Sequence, residues 1–73
     1  MISHTLLLKN GFRFRSDIES SNDLLHYDYK KGTIMYLAKF HKKQLSLEVY
    51  NSKNELINSF NSLKGFSKWI DSL

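Results

Sequence analysis

The chain has 73 residues, no cysteine and no proline, 41% apolar and 14% aromatic residues, and a net charge of +4 from 11 Lys and Arg against 7 Asp and Glu. This composition excludes a disordered tail, a disulfide framework, a thiolate metal site and a cysteine nucleophile, and the length allows one small domain over 1–73 that buries about 60% of its unfolded surface. The apolar run Leu6 to Leu8 is far shorter than a signal-peptide core or the roughly 20 residues of a spanning helix, so no membrane is expected and the location is expected to be cytoplasmic.

Ser3 to Asn10 reads as a short helix, with Ser3 as N-cap, Ile2, Leu6 and Leu7 as apolar anchors and Gly11 in the left-handed position after Asn10. Thr5 to Leu8 as an extra strand is the alternative, because a segment this short is undecided by periodicity. Phe12-Arg13-Phe14-Arg15 alternates with period two, which sets both rings on one face of a strand and both guanidinium groups on the other. The polar stretch Ser16 to Asn22 reads as a loop.

The middle of the chain reads as a meander. A two-residue turn at Lys31-Gly32 sets Lys30 opposite Thr33, Tyr29 opposite Ile34, Tyr27 opposite Tyr36 and Leu25 opposite Ala38. A loop over His41 to Gln44 sets Phe40 opposite Leu45, Ala38 opposite Leu47 and Tyr36 opposite Val49, and these side chains fall on the same face as the first set. A third loop at Asn51 to Asn54 pairs Val49 with Leu56 and Leu45 with Phe60, leaving Asn58 opposite Leu47. Leu63, Phe66, Trp69, Ile70 and Leu73 then make one apolar stripe on a helix capped by Ser62. Gly65 costs this helix about 1 kcal/mol relative to Ala, so it depends on docking. The expected fold is α+β: an antiparallel meander of four or five strands packed on one C-terminal helix, with a short N-terminal helix or strand.

The sheet face away from the helix presents Leu24, Met35, Leu37, Tyr50 and Ile57 beside His26, Lys39 and Glu48. A face turned to water should be more uniformly polar. Either the N-terminal segment with Ile2, Leu6 and Leu7 folds back over part of it, or it is an exposed patch that binds a partner protein or a second copy of the chain. On the binding reading the contact residues are Met35, Leu37, Tyr50 and Ile57, rimmed by Lys39, Lys42 and Lys43. Acids Asp17, Glu19, Asp23 and Asp28 precede Tyr29, whereas the stretch from Lys30 to Leu47 holds no acid. The alternative site is therefore a single-stranded nucleic-acid surface made of Arg13, Arg15, Lys30, Lys31, Lys39, Lys42 and Lys43 with aromatic stacking beside them. Solvated lysine-bearing hairpin loops are the plainer reading of the same residues.

Nothing in the chain makes a catalytic constellation. His4, His26 and His41 have no metal-motif spacing, the three glycines are isolated, and Asp23 and Asp28 are not paired as acid and base, so neither enzymatic activity, a metal nor a cofactor is expected.

Two resemblances follow. The ending Phe60-Asn61-Ser62-Leu63-Lys64-Gly65-Phe66-Ser67-Lys68-Trp69-Ile70 and the Asn10-Gly11-Phe12 lead-in to the first strand resemble short proteins of phages and mobile elements from low-GC genomes. That resemblance implies a non-catalytic protein that binds and blocks a host nucleic-acid-handling or defence protein in the bacterial cytoplasm, as anti-CRISPR inhibitors do. The order of elements, a meander followed by a helix, is similar to the PC4-like single-stranded-DNA-binding fold, which implies a dimer with bound single strands. The stretch Leu45 to Tyr50 contains no base.

Overall fold

The computed structural model describes all residues from Met1 to Leu73. The elements are α1 (His4–Lys9), β1 (Arg13–Phe14), β2 (Leu24–Lys31), β3 (Ile34–His41), β4 (Ser46–Tyr50), β5 (Leu56–Phe60) and α2 (Leu63–Ser72). The strands form one antiparallel sheet in chain order, β1-β2-β3-β4-β5, which with the two helices is the expected α+β architecture.

The N-terminal segment is a helix because both of its ends are satisfied. Ser3 Oγ accepts the Leu6 N–H at 3.1 Å. At the other end Gly11 adopts φ 91°, its N–H donates to Leu8 O at 3.1 Å, and the Phe12 N–H donates to Leu7 O at 3.0 Å. That pair of bonds is the Schellman ending, and the positive φ is why glycine stands there. A helix of six residues is marginal alone. Here the full burial of Ile2 and Leu7 holds it.

All three expected hairpin registers are displaced by two residues, in the same sense. The first turn is Gly32-Thr33, not Lys31-Gly32, so Lys31 faces Ile34, Tyr29 faces Tyr36 and Tyr27 faces Ala38. Gly32 alone in this turn takes a positive φ, of 62°, the pattern of a type II′ hairpin with glycine at the first central position. The second loop is Lys42–Leu45, with Phe40 facing Leu47 and Ala38 facing Val49. In the third pair Leu47 faces Phe60 and Val49 faces Asn58, with a bulge at Val49/Tyr50. Because side chains alternate with period two, a slip of two residues keeps every side chain on its face and changes only its neighbours. The cost falls at strand ends. Ile34, expected inside, is exposed, since β3 runs three residues past its last pair with β4, Leu37 and Tyr50.

The core lies on one face. Phe12, Tyr27, Tyr29, Ala38, Phe40, Leu47, Val49 and Phe60 meet Phe66 of α2 in a single buried cluster. Phe12 stacks on Tyr29 at 4.5 Å, and the half-buried Trp69 sits edge-on to Tyr36 at 5.4 Å. The N-terminal segment joins this same cluster through Ile2 and Leu7, which corrects the expectation that it covers the opposite face. His4 Nδ1 lies 2.6 Å from the Tyr27 hydroxyl, and its ring meets Phe14 edge-on at 5.7 Å. The link Asn10-Gly11 is too short to carry α1 around the sheet edge, so the helix stays on the side to which Phe12 and Phe14 point.

Burial pushes the Tyr27 phenol up to about 12. The folded state thus holds this proton more tightly than the unfolded chain, whose tyrosine titrates near 10, and stability should fall as pH rises from 10 towards 12. Tyr50, raised by its own burial, acts in the same sense. Alkaline unfolding followed by circular dichroism should show the loss, and Tyr27→Phe should shift its onset to higher pH. An unchanged onset would place the sensitivity elsewhere.

Candidate functional site

With both helices on one side, the other side of the sheet is open, and the register arranges its side chains in rows. One row runs Arg15, His26, Lys39, Glu48, Ser59; the Arg15 N–H donates to His26 O at 2.8 Å, His26 faces Lys39, Lys39 faces Glu48 and Glu48 faces Ser59. The next runs Arg13, Asp28, Leu37, Tyr50. Lys30 and Met35 form a third row at one end, and Leu24, His41 and Ser46 a fourth at the other. Ile57, in line with Ser59 along β5, completes the apolar set.

The charged groups on this face are mostly held. Asp28 is the one buried charged residue and receives a forked pair from Arg13, Nε to Oδ1 at 3.2 Å and Nη2 to Oδ2 at 2.7 Å, with Arg15 Nε 4.0 Å away. Arg15 is forked in turn on Asp17, at 2.8 and 2.7 Å, which draws the Asp17 carboxyl down to about 2 and raises the guanidinium further above its ordinary value. Glu48 Oε1 accepts from His41 Nε2 at 2.7 Å and from the Tyr50 hydroxyl at 3.1 Å, and the His41 bond chiefly keeps the carboxyl below its usual range. Lys39 Nζ lies 5.1 Å from the centre of the Tyr50 ring, a cation–π contact.

The Arg13–Asp28 pair is asymmetric, with side-chain exposures of 74% and 9%. Without Asp28, Arg13 is solvated; without Arg13, the buried carboxylate keeps only the more distant Arg15. Arg13→Met should therefore lower the urea midpoint more than Asp28→Asn does, because an unpaired buried charge costs more than a lost pair. The opposite order would show that Asp28 is stabilised chiefly by groups other than Arg13, and near-zero losses from both that the pair is energetically idle.

Of the residues singled out from the sequence, Met35 and Leu37 floor a groove of about 570 Å³ walled by Arg13, Arg15 and Asp28, Leu37, Lys39 and Tyr50 line a hollow next to it, and the exposed Ile57 stands apart at the bulge of the edge strand β5. Lys42 and Lys43 lie in the loop after β3, and Lys43 Nζ is 3.3 Å from Asp23. Lys30 and Lys31 sit at the far end, separated from them by the length of β3, about 23 Å for seven residue steps. The seven basic residues of the nucleic-acid reading therefore do not form one stripe. Sequence reasoning missed the grouping of Arg15, His26 and Lys39, which depends on the register; the displaced pairing sets His26 beside Lys39.

No three of His, Cys, Asp and Glu converge as metal ligands, and no helix is long and apolar enough to cross a membrane. No protein-family model matches the chain, and no curated protein or solved structure matches it.

Proposed function

We propose that the protein works without chemistry, by docking its helix-free sheet face onto a partner protein whose surface offers an apolar patch flanked by carboxylates. The observation that carries this is the placement of both helices on one side, which leaves Met35 and Ile57, 37% and 43% exposed, facing outward beside Leu37 and Tyr50. An antiparallel sheet turned to water normally carries polar residues there, and an apolar patch with a charged rim is the anatomy of a binding surface. Lys39, which has no carboxylate partner, borders it beside the ion-paired Arg13 and Arg15, and the chain carries +4 overall, which favours an acidic partner. Together with the phage-type ending of the chain, this supports a small inhibitor that occupies and blocks a host nucleic-acid-handling or defence protein.

A photo-crosslinking residue at Met35, introduced in cells, should give a discrete protein adduct that excess unlabelled protein competes away. Leu37→Glu, with its fold verified by circular dichroism, should lose the adduct. Equal crosslinking from Ser67, on the exposed side of α2, would overturn the assignment of the face. An adduct at twice the chain's mass would instead identify a second copy as the partner.

The second reading, a single-stranded nucleic-acid module, draws support from the Lys39–Tyr50 contact, a cation beside a ring on which a base can stack. The commitment of Arg13 and Arg15 to Asp28 and Asp17, and the distance between the lysine pairs, weigh against it. Oligonucleotide binding that is tight at low salt and falls steeply with added salt would restore it.

A further inference from the structure

Arg15, His26 and Lys39 stand side by side across the open face and, with Ile18, Leu37 and Tyr50, line a hollow of about 220 Å³. No carboxylate lines it. The Lys39 ammonium has no carboxylate oxygen within 4.0 Å, and the His26 ring makes no hydrogen bond. Lys39, held over the Tyr50 ring, and His26 thus line the hollow beside Asn54 with no acid bonded to either, while Arg15 contributes field from behind its fork on Asp17. Elsewhere on this face the positive groups have found acids: Arg13 has Asp28, and His41 has Glu48. The volume is several times the roughly 30 Å³ share of a water molecule, which admits a carboxylate with a short aliphatic stem. Leu37 and Ile18 provide the apolar wall for that stem.

We infer that this hollow is an anion site that receives a single carboxylate side chain of the partner protein. The inference rests on the docking role proposed for the face and names the group that anchors it. A carboxylate seated there accepts from Lys39 Nζ and from the protonated His26 ring, and it neutralises a cluster that otherwise repels itself. Burial, Lys39 and Arg15 hold the His26 imidazole below its ordinary value. An anion reverses the sign of the local field, so the imidazole gains basicity on binding. The other groups near His26 are fixed in place: Asp28 two residues along β2 is committed to Arg13, Glu48 lies beyond Lys39 and is committed to His41, and the Tyr50 hydroxyl donates to Glu48.

The test is a titration of the free protein with acetate, against chloride at matched ionic strength, read from the imidazole carbon-bound protons by NMR. The His26 signal should shift saturably and its pKa should rise, while His4 and His41 respond no more than they do to chloride. Lys39→Met should weaken acetate binding by about tenfold, as loss of one charge-assisted contact does, and Arg15→Gln, which removes only field, should weaken it by less. A linear response shared by all three histidines would overturn the site. The partner's use of it is read separately: Lys39→Met should reduce the Met35 crosslink, and a full-strength crosslink alongside saturable acetate binding would refute the anchoring role. Failure of every crosslink with acetate binding intact would sink the docking role and leave a site for a free small carboxylate.

Discussion

Replacing Phe66 with Ala should remove about a third or more of the chain's stability at 25 °C. Phe66 is 1% exposed and is the only residue of α2 that is fully buried, wedged between Phe12 at 5.7 Å and Phe60 at 6.2 Å. A buried Phe to Ala change costs about 3–5 kcal/mol, and a domain of this length has a total stability of about 4–11 kcal/mol. The helix has little in reserve. Gly65 weakens it by about 1 kcal/mol relative to Ala, and without Phe66 only the half-buried Trp69 and Ile70 tie it to the sheet. Trp69 is the sole tryptophan, so urea unfolding followed by its fluorescence reports directly on this docking. A midpoint near that of the parent protein would mean that α2 is not seated as described.

Leu7→Ala should cost about 2–5 kcal/mol and should do so globally. Leu7 is fully buried in the same cluster as Tyr27 and Phe12, so its loss opens a cavity in the shared core and is felt by the sheet. Leu8→Ala, one residue on and 45% exposed, should be close to neutral. Hydrogen exchange of the β2 amides separates the possibilities. Faster exchange there in Leu7→Ala confirms a common core, whereas faster exchange confined to α1 would mean that the helix frays independently.

Much of this fold was legible because its signals are local and redundant. Ser3 and Gly11 bracket α1, Ser62 caps α2, and alternation assigns each strand residue to a face whatever its exact partner. The pairing was not legible, because the turn formers Lys31, Gly32 and Thr33 permit two-residue turns one residue apart, which displace the pairing by two and satisfy the same alternation. Leu45 shows the difficulty well: it adopts φ 52°, a conformation that favours glycine, and nothing about a leucine announces it. The candidate face was therefore readable as a set of residues, since Met35, Leu37, Tyr50 and Ile57 share it under either register. The neighbours that give it chemistry were not. Setting His26 beside Lys39, and Asp28 between Arg13 and Leu37, required the true register, and the side taken by α1 required the brevity of the Asn10-Gly11 link.

The strand order of the sheet has a kinetic consequence. Every ladder joins segments adjacent in the chain, and its last three links close through loops of only two to five residues, so the meander can zip from either end without a search for distant pairs. The two helices are different, for they must meet over one face from opposite ends of the chain. On the ribosome the hairpins can form as they emerge, while the single core that unites Ile2, Leu7 and Phe66 must wait until α2 has been made.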